Sequence, residues 1–60
     1  MKITKQTMNE ILDAINCGDL IEDEHGNAGF VMQIEKVSYK NGVHYYFKLE
    51  ENKPTILILK

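Results

Sequence analysis

The sequence predicts an α+β fold, with an N-terminal amphipathic helix packed on a three- to four-stranded antiparallel β-meander, as one small domain over residues 1–60. Three observations lead to it. Apolar residues recur at helical spacing near the N-terminus, and from Ala28 onward they alternate with polar ones. Turn-forming residues then divide the second half at Asn41-Gly42 and at Asn52-Lys53-Pro54.

Met8, Ile11, Leu12 and Ile15 follow the i, i+3, i+4, i+7 pattern of a narrow apolar stripe. Two starts compete for this helix. Thr4 as N-cap would let Ile3 meet Met8 as a hydrophobic staple, whereas Thr7 with Glu10 three residues later is a capping box. Gly18, following Cys17, suits the left-handed residue that closes a helix. Asp19–Glu22 suits a short edge strand, and Glu24-His25-Gly26-Asn27 suits a turn.

In the next run Phe30, Met32 and Ile34 alternate with Val31, Gln33 and Glu35. Asn41-Gly42 is a strong hairpin signal, because a type I′ turn needs positive φ at both central residues. A two-residue loop there pairs Lys40 with Val43 and Ile34 with Leu49. If Glu51 faces Pro54 across the next turn, Leu49 meets Ile56 and Phe47 meets Ile58. One face then holds Phe30, Met32, Ile34, Phe47, Leu49, Ile56 and Ile58 under the helix, with Lys36 at its rim. A three-residue loop would set Glu35 beside Phe47, so the register that buries fewer charges is preferred.

The second face carries Val31, Val37, Tyr39, His44, Tyr46, Leu57 and Leu59. A domain of this length buries only about 60% of the surface of its unfolded chain. Contiguous exposed apolar patches of a few hundred Å² mark interaction sites more often than chance. Val31, Val37, Tyr39, Tyr46, Leu57 and Leu59 are therefore the candidate interface, for a second copy or for another protein, and the terminal edge strand is the other route to self-association. Against this stands the ordinary meaning of scattered apolar residues on a half-solvated sheet.

Net charge is −2, but it is unevenly spread. Between Lys5 and Lys36 the only side chains counted as charged, with His neutral, are acidic: Glu10, Asp13, Asp19, Glu22, Asp23, Glu24 and Glu35. The first six form a candidate acidic partner-binding face, which can imitate a phosphate array in the basic groove of a nucleic-acid-processing enzyme. The simpler meaning is a solvated acidic surface. Direct nucleic-acid binding through Tyr46, Lys48 and Tyr39 is the alternative function. It is disfavoured by the negative charge and by the absence of arginine.

No residue pattern points to catalysis. Cys17 follows the expected helix C-terminus, where the dipole disfavours a thiolate. Ser38, the only serine, sits in an expected hairpin, and no glycine loop suits a phosphate. One cysteine and no His-x-x-x-His pair fit no zinc site, and Asp19 to His25 do not match a calcium loop. His44 is expected beside Tyr39 instead. The sequence thus predicts a non-enzyme without metal or cofactor.

A lone cysteine suits a reducing compartment, and no apolar run suits a signal peptide or a membrane span, so the expected location is cytoplasmic. The short length and the Lys, Ile, Asn and Glu usage of an AT-rich genome resemble the small accessory proteins of phages and mobile elements in general. That likeness implies a regulator or inhibitor directed at a host defence or nucleic-acid enzyme. The expected function is protein binding by a small homodimer.

Overall fold

Four antiparallel strands and one short helix make up the small compact domain seen in the computed structural model, which describes residues 1–60. In chain order these are α1 (Asn9–Asp13), β1 (Leu20–Glu22), β2 (Ala28–Tyr39), β3 (Gly42–Leu49) and β4 (Ile56–Leu59). The sheet order is β1-β2-β3-β4, so every neighbour in space is a neighbour in sequence.

The helix is shorter than the apolar stripe suggests. Leu12 and Ile15 are buried, but Met8 and Ile11 are exposed. Neither expected cap forms, because the Thr7 hydroxyl oxygen accepts the Thr4 N–H at 2.8 Å and Met8 becomes an N-cap without a side-chain bond. Beyond Ala14 the chain is diverted: Asp19 Oδ2 accepts the Asn16 N–H at 2.9 Å, and the Gly18 N–H reaches Val31 O at 2.7 Å. Short polar side chains that bond nearby backbone compete with helix in this way. Gly18 does take positive φ, at 96°, but it steers the chain into β1 rather than closing α1. Ile3 does not staple to Met8. It lies fully buried beside β1, its N–H bonded to Glu22 O at 2.8 Å.

Asp19–Glu22 was expected as an edge strand, and Leu20–Glu22 is one, pairing Ile21 with Gly29. The turn that follows has Gly26 at φ 87°. Asp23 organises it: Oδ1 accepts the backbone N–H groups of His25 and Asn27, and Oδ2 accepts the Asn27 side-chain amide.

The β2–β3 register differs from expectation by two residues. Tyr39 pairs with Gly42 and Ile34 with Phe47, so the two-residue loop is Lys40-Asn41. Neither Asn41 nor Gly42 has positive φ. Gly42 instead enters the strand, where a Cβ would strike the Lys60 backbone carbonyl. Glycine is needed there for close approach, not for a left-handed turn. The β3–β4 register slips by two as well, pairing Tyr45 with Ile58 and Phe47 with Ile56. A slip of two keeps each side chain on its expected face, because the side-chain period of a strand is two.

One irregularity does change faces. The ladder runs Val31 opposite Leu49 and then Gln33 opposite Lys48, so Met32 is the extra residue of a β-bulge. Val31 therefore points into the core at 0% exposure, while Phe30 and Met32 stand 49% and 62% exposed. The expectation that Phe30 and Met32 belong to the core and Val31 to the second face is overturned. The core consists of Ile3, Leu12, Ile15, Ile21, Val31, Tyr45, Phe47, Leu49, Ile56 and Ile58. No helix is long and apolar enough to cross a membrane.

Candidate interaction surface

The face of the sheet away from this core is organised as cross-strand rows. Val37, His44 and Leu59 are successive partners across β2, β3 and β4, and so are Glu35, Tyr46 and Leu57. Directly opposed residues on adjacent strands share a face, so each row lies side by side. Leu57, Leu59 and Tyr39 are exposed, while Val37, His44 and Tyr46 are half-buried. Five of the six expected interface residues thus lie together on this face. Val31 does not, because the bulge turns it inward.

An aromatic cluster occupies one end. The Tyr39 and His44 rings lie 4.5 Å apart at 53°, which matches the expected contact of His44 with Tyr39. His44 and Tyr46 meet edge to face at 6.4 Å, with the Tyr46 hydroxyl 3.5 Å from His44 Nδ1. Burial pushes the Tyr46 hydroxyl above the usual tyrosine range, and the neighbouring Tyr39 and Glu35 add to the effect. Next to the rows are two open depressions of about 500 and 230 Å³. Gln33 and Lys48 line both, joined in the larger by Met32, Glu50 and Lys53 and in the smaller by Glu35, Tyr46 and Thr55.

Leu20 and Phe30 were not anticipated as surface residues. They are cross-strand partners, each about half exposed, and they extend the apolar surface toward β1. Gly29 carried the signal for this, since an isolated glycine inside a strand pattern marks a bulge or a close approach. A Cβ there would lie 2.8 Å from Glu50 Oε1 and 3.3 Å from Leu49 Cδ1.

The six acidic residues do not form one free array. Asp23 is only 8% exposed, and its carboxylate is filled by the turn it organises. Burial works against its charge, but the bonds from the Asn27 side chain and backbone and from the His25 backbone outweigh it and hold the carboxyl below the usual range. Asp19 is engaged by the Asn16 backbone, and Asp13 by Lys36 and Tyr45. Only Glu10, Glu22 and Glu24 remain exposed without a hydrogen bond from the chain, Glu24 lying 3.9 Å from His25. No group of three or more His, Cys, Asp or Glu side chains is gathered to hold a metal ion. Cys17 is exposed in the turn after α1, with Sγ 3.4 Å from Met32 O.

No protein-family model, curated protein or solved structure matches this chain.

Proposed function

We propose that this chain is a small non-catalytic protein-binding module that forms a homodimer and regulates or inhibits another protein. One observation carries the reading. Val37, Tyr39, Tyr46, Leu57 and Leu59 lie together around His44 on one face of a chain whose core is made by ten residues. Association with a second copy is a usual remedy for so small a core, and such a surface is left to be covered by that copy or by another protein. The acidic face is the weaker candidate for partner binding, because Asp13, Asp19 and Asp23 already spend their carboxylates inside the chain. A target among defence or nucleic-acid enzymes follows only from the likeness in size and composition to accessory proteins of phages. The lone Cys17 supports a cytoplasmic setting.

The test is the mass in solution. Wild type is expected at about twice the 6.9 kDa of the chain. Leu57→Glu at an exposed position and Tyr46→Glu at a half-buried one are expected to give monomers or unfolded protein. A wild type that stays monomeric throughout the micromolar range overturns the homodimer.

A further inference from the structure

The two edges of the sheet are treated differently by the chain. The β1 edge is closed: Ile3 N–H bonds Glu22 O, Glu22 N–H bonds Met1 O, and the terminal ammonium reaches Leu20 O at 2.9 Å. Lys2 completes a parallel bridge to Glu22. The β4 edge has no such cover. Val43 and Lys60 exchange both backbone hydrogen bonds, and from that point bonded and non-bonded pairs alternate along an antiparallel ladder. Ile58 and Ile56 therefore bond to Tyr45 and Phe47, while the N–H and C=O groups of Leu57 and Leu59 point away from the sheet. No other backbone or side-chain group of the chain bonds them.

Natural proteins guard an open edge with a charge, a proline, a bulge or a covering segment. Ile56–Leu59 carries none of these. Lys60 comes next, but its ammonium is drawn off to the carbonyls of Lys5 at 2.7 Å and Thr7 at 2.6 Å. The strand is also complementary to itself. When two copies run antiparallel with Ile58 opposite Ile58, Leu57 falls opposite Leu59 and Ile56 opposite Lys60, whose ammonium is already engaged within its own chain. The outward donors and acceptors of both strands then meet in the bonded positions.

We propose that β4 pairs antiparallel with β4 of a second copy about a two-fold axis midway between the two Ile58 residues. Leu57 of each chain exchanges both backbone hydrogen bonds with Leu59 of the partner subunit. The four-stranded sheet thereby continues across the axis at twice its width. The exposed leucines of both copies meet on one side, so the two apolar surfaces merge into one band. This rests on the reading of the chain as a homodimer and specifies which of its surfaces joins the copies.

Amide exchange on the full chain, followed by NMR across a range of protein concentrations, tests the pairing. The Leu57 and Leu59 amides are expected to be protected at high concentration and to lose protection on dilution, while Ile56 and Ile58 stay protected throughout. Leu57→Pro and Leu57→Ala both remove the leucine side chain, but only the proline removes the outward N–H, a position that an edge strand tolerates. The proline variant is expected to dimerise about tenfold more weakly than the alanine variant. If it does not fold, the exchange of the wild-type amides decides alone. A wild-type dimer whose Leu57 and Leu59 amides exchange freely, with equal affinities in the two variants, overturns the edge pairing but leaves the homodimer standing. A monomer at every concentration overturns both.

Discussion

Tyr45 donates its hydroxyl to Asp13 Oδ1 at 2.9 Å, which ties a ring buried in the core to a carboxylate at the end of α1. Lys36 Nζ donates to the same oxygen at 3.0 Å and lies 5.4 Å from the centre of the Tyr45 ring. The bond from Lys36 and then the bond from Tyr45 hold the Asp13 carboxyl below its usual range, against a smaller opposing effect of burial. Burial first, and then Asp13, pushes the Tyr45 hydroxyl up.

Both shifts give stability a pH dependence. A carboxyl depressed on folding stabilises above its unfolded value, about 3.9, and that contribution is lost as pH falls through the folded value. A phenol raised on folding loses its proton first in the unfolded chain, so stability declines as pH rises past about 10. Tyr45→Phe should cost about 1 kcal/mol at neutral pH and flatten the alkaline decline. Urea denaturation from pH 3 to 11 checks this, and wild-type stability in Tyr45→Phe at neutral pH would show that the bond contributes nothing.

Asp23 gives a second acid-sensitive point, since its carboxylate holds the turn between β1 and β2 and its pKa is lowered. Its contribution is likewise present above the unfolded value and lost as pH falls through the folded one. Asp23→Ala removes the acceptor of all three bonds and leaves the Asn27 and His25 groups to find water. The expected loss is about 1–3 kcal/mol at neutral pH, with a smaller further loss on acidification than in wild type. Chemical denaturation at pH 7 and pH 3 measures both quantities.

The two strand glycines differ in what opposes a side chain. At Gly42 the obstacle is the Lys60 carbonyl, which is held in the β3–β4 ladder and cannot move alone. At Gly29 the nearest atom is Glu50 Oε1, the far end of a flexible side chain. Gly42→Ala is therefore expected to cost about 1–3 kcal/mol and Gly29→Ala distinctly less. Equal thermal stability of the two variants would count against a backbone clash at Gly42.

How much of this was legible depends on the period of each segment. In β3 and β4 every residue occupies one place in the ladder, so alternation alone assigned Phe47, Ile56 and Ile58 to one side and Tyr46, Leu57 and Leu59 to the other. Even a register wrong by two left those sides intact. The helix was misjudged in extent because its stripe says nothing of Thr7, which turns back to Thr4, or of Asp19, which captures the Asn16 N–H. Asp23 was legible as an acidic residue next to a turn but not as the buried anchor of that turn, since that depends on where Asn27 returns. The terminal strand was legible as an edge through which copies could associate, but not as the one open edge of the two. It is distinctive only because Met1, Lys2 and Ile3 close the opposite edge, a contact between distant parts of the chain.

The bulge in β2 gives the sharpest contrast between sequence pattern and structure. Phe30, Met32 and Ile34 alternate without a flaw, yet the extra residue at Met32 brings Val31 into the core beside Leu49. Truncating Val31 removes two buried methyl groups from a packed site and should cost about 2 kcal/mol. Truncating Met32 removes a side chain that is 62% exposed, and its effect should stay within about 0.5 kcal/mol. Unbroken alternation would reverse that order, because Met32 would then fill the core and Val31 would face water. Urea denaturation of Val31→Ala and Met32→Ala under one set of conditions therefore tests the bulge directly. A larger loss at Met32 than at Val31 would mean that the strand runs without it.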